Sequence, residues 1–196
     1  MAIKPILFNT EMVRAILDGR KSCTRRIVKH DVEVILNSPY YKKHPEMADK
    51  QIISKLCMPP YQPGDILYVR ETWCKYDDDH IIDGRKYAYK ADASPISEEA
   101  RKKFGYRWRP SIHMPKEAAR IWLRVVGVQL ERLQDITENG AKAEGAIDNR
   151  GFIHSPENEY NRIHTAREHF AEIWNSTIKK SDIDHYGWKA NPWVWV

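Results

Sequence analysis

The sequence predicts an α+β fold, because segments with strand-like alternation and segments with helical spacing share one chain. Apolar and polar residues alternate over 65–73 and again over 120–133. Apolar residues recur at helical spacing over 10–17 and over 163–174. At 196 residues the chain is long enough for one good core and short for two, so we expect a single domain, 1–196.

The first elements are a short strand at 6–8 and a helix. Thr10 is a suitable N-terminal cap, and Gly19 is the residue type expected where a helix ends in a left-handed conformation. The residues after the cap form one apolar face, consisting of Met12, Val13, Ile16 and Leu17.

The next segment, 31–62, has weak periodicity and contains the Pro59-Pro60 pair, so it is interpreted as an insertion with one short helix.

The strand over 65–73 follows. Its alternation places Glu71 on the same face as the apolar residues Leu67 and Val69. An unpaired buried carboxylate is costly, so Glu71 needs a cation or a hydrogen-bond donor. Two alternatives are open: Lys21 or Arg26 as the partner, or a structural salt bridge with an arginine such as the cross-strand neighbour of Arg70.

A second insertion near 74–118 contains an alternating piece at 86–90 and the cluster Asp77-Asp78-Asp79-His80. This cluster lacks the spacing of metal ligands and is typical of a solvated hairpin tip.

In the strand at 120–133 the alternation slips at Val125 and Val126, beside Gly127. The slip predicts a β-bulge or sharp coil, the device that lets strands close into a small barrel.

The last elements are a helix and a strand. Ser155 is the predicted N-terminal cap of the helix, with Pro156 at its first position. The terminal residues 193–196 predict a strand paired back into the sheet. The helix has an apolar stripe that we assign to the core, formed by Ile163, Ala166, Phe170, Ile173 and Trp174.

Composition favours a folded protein that meets a polyanion. Net charge is +5, and basic residues concentrate in two groups, over 20–29 and over 101–124. Such asymmetry favours phosphate contacts, although solvated basic faces would look the same.

Three cysteines at irregular spacing fit neither a disulfide framework nor a zinc site, so we expect them reduced. Because no apolar run spans a membrane and no signal-peptide pattern begins the chain, we predict a cytoplasmic protein that contacts no membrane.

Lys21 is the first candidate functional residue. It lies just past the end of the first helix, among the like charges of Arg20, Arg25 and Arg26. Like charge favours the neutral amine, which is the form that serves as a base or nucleophile.

Three separated blocks carry a family resemblance. They are ILDGRKSCTRR at 16–26, PGDILYVRETW at 63–73, and LQDITE at 133–138 with AEG at 143–145. In this order they resemble the activating-signal-cointegrator homology (ASCH) family. The segments at 108–115 and 191–196 are similar to the longer ASCH proteins common in bacteriophages and prophages.

The resemblance implies a PUA-like fold: a small β-barrel with flanking helices, here with insertions near 31–62 and 74–118. It also implies binding of RNA or a modified nucleoside in a basic cleft. The residues expected to line this cleft are Lys21, Thr24, Arg26, Glu71 and Glu144, and Arg20 and Arg25 are further expected binding residues. Small ASCH proteins include amidohydrolases acting on acetylated cytidine. Their lysine, threonine and glutamate correspond to Lys21, Thr24 and Glu144. The neutral lysine would activate Thr24 or a water, and the glutamate would relay a proton to the leaving amine.

A metal-independent ribonuclease is a further alternative, with Glu144 or His113 as general base. His113 follows the stretch Arg107-Trp108-Arg109, where an aromatic ring between arginines suits stacking on unpaired bases. Trp108 as a core anchor, with Arg107 and Arg109 facing outward, is the other interpretation. A phage protein that interacts with its host through the same scaffold is also open. The sequence contains no cofactor motif and no metal motif, and its oligomeric state is left open.

Overall fold

The computed structural model describes residues 1–76, 86–155 and 158–196, with side chains described outside 149–155 and 158–164. The predicted hairpin tip at 77–80 and Pro156 therefore lie outside the described residues. The chain is α+β, as predicted. Its described strands are β1 Ile3–Leu7, β2 Arg26–Ile27, β3 Ile66–Arg70, β4 Trp73–Lys75, β5 Tyr87–Tyr89, β6 Trp122–Arg124, β7 Leu130–Arg132, β8 Asn149–Ser155, β9 Asn158–His164 and β10 Trp193–Trp195. Its described α-helices are α1 Thr10–Leu17, α2 Val32–Leu36, α3 Pro39–Lys43, α4 Asp49–Leu56, α5 Pro95–Lys103, α6 Glu138–Ala143, α7 Ala166–Thr177 and α8 Ile183–Tyr186.

The chain forms two compact units. Unit 1 combines Met1–Gly19 with Tyr61–Val126, and unit 2 combines Arg20–Pro60 with Gly127–Val196. The expectation of a single domain over 1–196 stays a prediction. Among the described residues, no helix combines the length and apolar character that crossing a membrane requires.

Unit 1 is built on a three-stranded sheet in the order β1-β3-β6, with β3 parallel to β1 and antiparallel to β6. The predicted alternation is confirmed, because Leu67 and Val69 are buried on the face that packs against α1. Glu71 and Trp73 continue that parity and are buried too. The alternating piece at 86–90 forms β5, which pairs with β4.

The turn that leads into β3 is fixed by the side chain of Asp65. Gly64 has a φ of +90°, a conformation that glycine adopts without strain. The Asp65 carboxylate accepts hydrogen bonds from the backbone N–H groups of Ala2 and Gln62, at 2.9 and 3.1 Å. Lys4 Nζ is 2.9 Å from the same carboxylate. This one side chain therefore ties the start of β1 to the start of β3.

The predicted strand over 120–133 is two strands in different sheets. β6 ends at Arg124 in unit 1, and β7 begins at Leu130 in unit 2. Val126, at the slip in the alternation, is 90% exposed. The slip marked a break in the strand rather than a bulge, because each half finds its hydrogen-bond partners in a separate sheet.

Unit 2 contains a second three-stranded sheet, in the order β2-β10-β7. The predicted C-terminal strand is confirmed, and β10 lies in the middle of this sheet with Val194 fully buried. Helices α6 and α7 pack together beside it. Their shared core consists of Leu133, Ile136, Ala141, Ala146, Ala166, Phe170, Trp174 and Val194.

The predicted start of the last helix at Ser155 is wrong. Ser155 ends β8, Ile163 lies in β9, and α7 is capped by Thr165, whose side chain accepts from the N–H of Glu168. Glu168 in turn accepts from the N–H of Thr165, so a capping box fixes the helix start. The apolar stripe is confirmed from Ala166 onward.

The first insertion contains α2, α3 and α4, where the sequence predicted one short helix. Ile53 of α4 and Cys57 are buried against the β2-β10-β7 sheet. None of the sheets that the described strands form within either unit closes into a barrel. The α+β class is therefore confirmed, and the PUA-like assignment stays a prediction.

Candidate functional site

The backbone of unit 2 places Lys21 beside Glu144, although 123 residues separate them in the chain. The two residues form an isolated antiparallel β-bridge. The N–H groups of Ser22 and Cys23 both donate to the carbonyl oxygen of Ala143, at 2.8 and 3.0 Å. The segment after Gly19 is therefore held against the end of α6, where Glu144 is the C-terminal cap.

Helix α6 forms despite the Asn139-Gly140 pair in its first turn. Thr137 caps it by accepting a hydrogen bond from the N–H of Gly140 at 3.0 Å. A Cβ at Gly140 would lie 3.2 Å from Ile136 Cγ1 and 3.7 Å from Arg25 Nη2. The close contacts of such a Cβ are therefore with Ile136 and with Thr137 Oγ1 at 3.3 Å, whereas the Arg25 guanidinium lies at an ordinary packing distance from this turn.

The Lys21 ammonium is buried with three oxygen acceptors. Its Nζ donates to Glu144 Oε2 at 2.6 Å, to the Glu144 carbonyl oxygen at 3.0 Å and to the Cys23 carbonyl oxygen at 2.7 Å. The side chains of Lys21 and Glu144 are 2% and 4% exposed. Three acceptors match the three donors of a protonated amine.

Burial lowers the pKa of Lys21 below its usual value, and it is the largest influence. The charge of Glu144 and its hydrogen bond oppose this shift, whereas the nearby Arg26 charge adds to it. The sequence predicted the lowered pKa from neighbouring arginines. The structure adds the stronger cause, which is removal of the ammonium from water.

Arg25 binds the other side of the same glutamate. Its Nη1 is 3.1 Å from Glu144 Oε1, and its Nη2 is 2.9 Å from Glu131 Oε2. The Arg25 side chain is 5% exposed, so it contacts internal carboxylates rather than solvent. Among the described residues the order of contacts is therefore Lys21, Glu144, Arg25, Glu131, with charges of alternating sign.

The remaining residues of the predicted lysine turn differ in exposure. Thr24 and Arg26 are half-buried. Arg20 is exposed, and its Nη1 donates to the carbonyl oxygen of Gly145 at 3.0 Å. Cys23 is half-buried and Cys57 and Cys74 are buried, and no disulfide joins any of the three.

Comparison with protein-family models, curated proteins and solved structures found no match to this chain.

A buried lysine and glutamate at 2.6 Å can exchange a proton. Burial favours the neutral form of the Lys21 amine, and the Glu144 carboxylate lies within reach of the proton on Nζ. Among the described residues, no three His, Cys, Asp or Glu side chains gather closely enough to hold a metal ion.

Glu71, another predicted site residue, lies in unit 1 and is paired with Arg120. Arg120 Nε is 2.9 Å from Glu71 Oε1, and its Nη2 is 3.1 Å from Oε2. The expected partners Lys21 and Arg26 are wrong, and the alternative is confirmed. Extending the register by two residues beyond Tyr68↔Trp122 places Arg120 opposite Arg70. Burial raises the pKa of Glu71, and Arg120 opposes that shift.

The basic aromatic stretch lies in unit 1 as well. Trp108 is half-buried and its indole N–H donates to Glu98 Oε1 at 2.7 Å, which ties it to α5. Arg107 and Arg109 are exposed on either side of it. Trp108 is not among the buried core residues, so its role as a core anchor stays a prediction. His113 is exposed at the end of a short 3-10 turn.

Sequence reasoning missed Glu131, and it described the partner of Glu71 as the cross-strand neighbour of Arg70 without naming Arg120. Glu131 lies on β7 between two residues that pair with β10, and no spacing in the sequence links it to Arg25. Cross-strand register would have pointed to Arg120, because it extends the pairing of β3 with β6.

Proposed function

We propose that this chain binds an RNA or nucleoside carrying an acylated amino group and removes the acyl group by hydrolysis. Lys21, Thr24 and Glu144 are the reacting side chains in this proposal. The observation that carries it is the 2.6 Å contact between Lys21 Nζ and Glu144 Oε2, with both side chains buried. N4-acetylcytidine is the substrate type that the ASCH resemblance implies, and a PUA-like scaffold is part of the same proposal.

The burial of Lys21 favours chemistry over phosphate binding. A lysine that binds phosphate keeps its ammonium at the surface, where it releases counterions from the nucleic acid. Lys21 instead has three internal acceptors and a lowered pKa. A lowered pKa is what a lysine needs to act as a base near neutral pH.

The proposed reaction is balanced within the pair. Proton transfer to Glu144 leaves Lys21 as a neutral amine. The amine takes a proton from water as the water oxygen attacks the acyl carbon. Protonated Glu144 then gives its proton to the departing amino nitrogen as the C–N bond breaks. The products are the carboxylic acid and the free amine, and the ion pair is restored.

Thr24 has one of two roles in this scheme. Its hydroxyl is the nucleophile, giving an acyl-threonine that water then hydrolyses, or it orients the attacking water. Thr24→Ala separates these roles: loss of all turnover supports the nucleophile, and a partial loss with no trapped acyl-protein supports orientation.

The test of the proposal is release of acetate and cytidine from N4-acetylcytidine, as the free nucleoside and within an RNA oligonucleotide, measured by chromatography. We expect turnover by the wild type, and a loss of about 100-fold or more for Lys21→Met and for Glu144→Gln. Lys29→Met is the matched control, because Lys29 is an exposed lysine of the same basic group. Absence of wild-type turnover on both substrates, or full activity of Lys21→Met, contradicts the proposal.

RNA binding at 107–113 is a second candidate function, favoured by the exposure of Arg107 and Arg109 around an anchored Trp108. The double substitution Arg107→Ala with Arg109→Ala should weaken binding to single-stranded RNA and reduce the slope of log affinity against log salt concentration by about 1.4. Fluorescence anisotropy at several salt concentrations measures both. An affinity for RNA that changes neither with salt concentration nor with the double substitution would contradict RNA binding at 107–113. Cleavage of the RNA during the assay, abolished by His113→Ala, would instead support the ribonuclease.

A further inference from the structure

The carboxylate of Glu144 is held by two cations, one on each oxygen. Lys21 Nζ contacts Oε2 at 2.6 Å and Arg25 Nη1 contacts Oε1 at 3.1 Å. With both oxygens bound, the carboxyl plane has a fixed orientation. The direction of the Oε2 lone pairs toward Lys21 therefore depends on Arg25 as well as on the helix end that carries Glu144.

Arg25 is itself held from three sides. Its Nη2 donates to Glu131 on β7, and its own residue directly precedes β2. The guanidinium carbon lies 5.9 Å from the ring centre of Phe170 on α7. The sheet and the helix together thus fix the position from which Arg25 contacts Glu144.

The hydrogen bonding of Arg25 is incomplete. Its Nε is buried and has no hydrogen-bond partner among the described residues. Burying a guanidinium with an unpaired donor is unfavourable, and an apolar side chain of similar volume would avoid that cost.

We propose that Arg25 is a positioning residue that orients the Glu144 carboxylate toward Lys21 and governs how the proton is shared between them. This inference rests on the proposed function, because it concerns the same proton transfer. Arg25 contacts no substrate in this scheme. Its positive charge offsets part of the Glu144 charge that Lys21 meets, and so Lys21 holds its proton less tightly when Arg25 is present.

The charged and titratable groups around Lys21 set the expected direction. They are Glu144 at the end of α6, Arg26 at the start of β2, the Cys23 thiol in the same turn, and Arg25 with Glu131 acting through Glu144. Without the Arg25 charge, the Glu144 carboxylate keeps its contact with Lys21 and loses its contact with the guanidinium. The lysine should then hold its proton more tightly, so its titration moves to higher pH.

The experiment compares wild type with Arg25→Met and with the double variant Arg25→Met, Glu131→Gln, which removes the arginine together with its other partner. Two readouts are used: the pH titration of isotope-labelled Lys21 Cε by NMR, and kcat and KM on N4-acetylcytidine across pH. We expect the Lys21 titration and the rising limb of kcat to move to higher pH. We also expect kcat to fall about 10- to 100-fold with little change in KM.

Arg132→Met is the matched control. Arg132 lies on β7 next to Glu131, donates to the carbonyl oxygen of Asn191 and stacks 4.4 Å from the ring centre of Trp193. Losing it removes an arginine of the same sheet that does not contact Glu144 in the described structure. Its Lys21 titration should match that of the wild type.

The outcomes separate the two proposals. A wild type without turnover contradicts the proposed function, and the Lys21 titration then still decides the role of Arg25. An unchanged titration and an unchanged kcat profile in a folded Arg25→Met variant overturn the positioning role while leaving hydrolysis intact. If both Arg25 variants unfold while Arg132→Met folds, Arg25 is structural and the inference is wrong.

Discussion

At the scale of single residues, buried charges in each unit are paired with buried or half-buried partners of opposite sign. Lys21 pairs with Glu144 in unit 2, and Glu71 pairs with Arg120 in unit 1. Breaking such a pair by removing one partner strands a charge in a low-dielectric environment, and this costs more than removing both partners. The difference between single and double substitutions therefore measures how much each pair matters.

Arg120→Met should strongly destabilise unit 1. It leaves the Glu71 carboxylate, which is 1% exposed, without its two guanidinium donors. We expect the free energy of unfolding to fall by about 3 kcal/mol, measured by urea denaturation.

Adding Glu71→Gln should restore part of this loss, because it removes the stranded charge. Arg124→Met serves as a control that deletes an arginine of the neighbouring strand β6. Equal free energies of unfolding for the single and double variants would show that the unpaired Glu71 carboxylate does not destabilise unit 1.

At the scale of elements, turns and caps account for where the strands and helices begin. A capping box starts α7 at Thr165, and Asp65 fixes the entry into β3. The wrong start predicted for α7 shows the limit of local signals. Ser155-Pro156 has the residue types of a helix start, yet Ser155 ends β8. Pairing with β9 takes precedence over the local preference.

The contribution of Asp65 should depend on pH. The hydrogen bonds from Lys4, Ala2 and Gln62 lower the pKa of Asp65 from 3.8 to about 2. A carboxyl whose pKa is lower in the folded state stabilises it above the unfolded value of 3.8, and this stabilisation disappears as pH falls toward about 2.

Asp65→Asn should therefore lower the melting temperature at neutral pH, and the difference from wild type should shrink between pH 4 and pH 2. Differential scanning calorimetry at several pH values measures this. Asp135→Asn is the control, since Asp135 is exposed. A difference between Asp65→Asn and wild type that is constant with pH would contradict the assignment.

At the scale of the whole molecule, each unit is assembled from segments that are distant in the chain. β10, from the last residues, lies between β2 and β7 in unit 2. Its central position makes the C-terminus part of the core rather than an appendage.

Val194→Ala should accordingly lower the free energy of unfolding by about 2 kcal/mol, because Val194 is fully buried against α6 and α7. Val126→Ala is the matched control at a position that is 90% exposed, and we expect a change within about 0.5 kcal/mol. Chemical denaturation measures the free energy of unfolding of both variants. An equal decrease in the two would contradict the central placement of β10.

The sequence by itself determined the features that depend on neighbours along the chain. The geometry of strands and helices accounts for the parity of Leu67, Val69 and Glu71 and for the apolar stripe of α7. It also accounts for the left-handed conformation of Gly19 just after α1. The family resemblance grouped Lys21 with Glu144, but only the tertiary structure decided which contacts each charge makes. Lys21 with Glu144, and Arg25 with Glu131, are brought together by strand pairing and helix packing across more than a hundred residues. Periodicity along the chain reports which residues share a face of one element, so it does not encode contacts between distant elements. The burial that lowers the pKa of Lys21 likewise exists only in the folded chain, where distant segments exclude water from the ammonium.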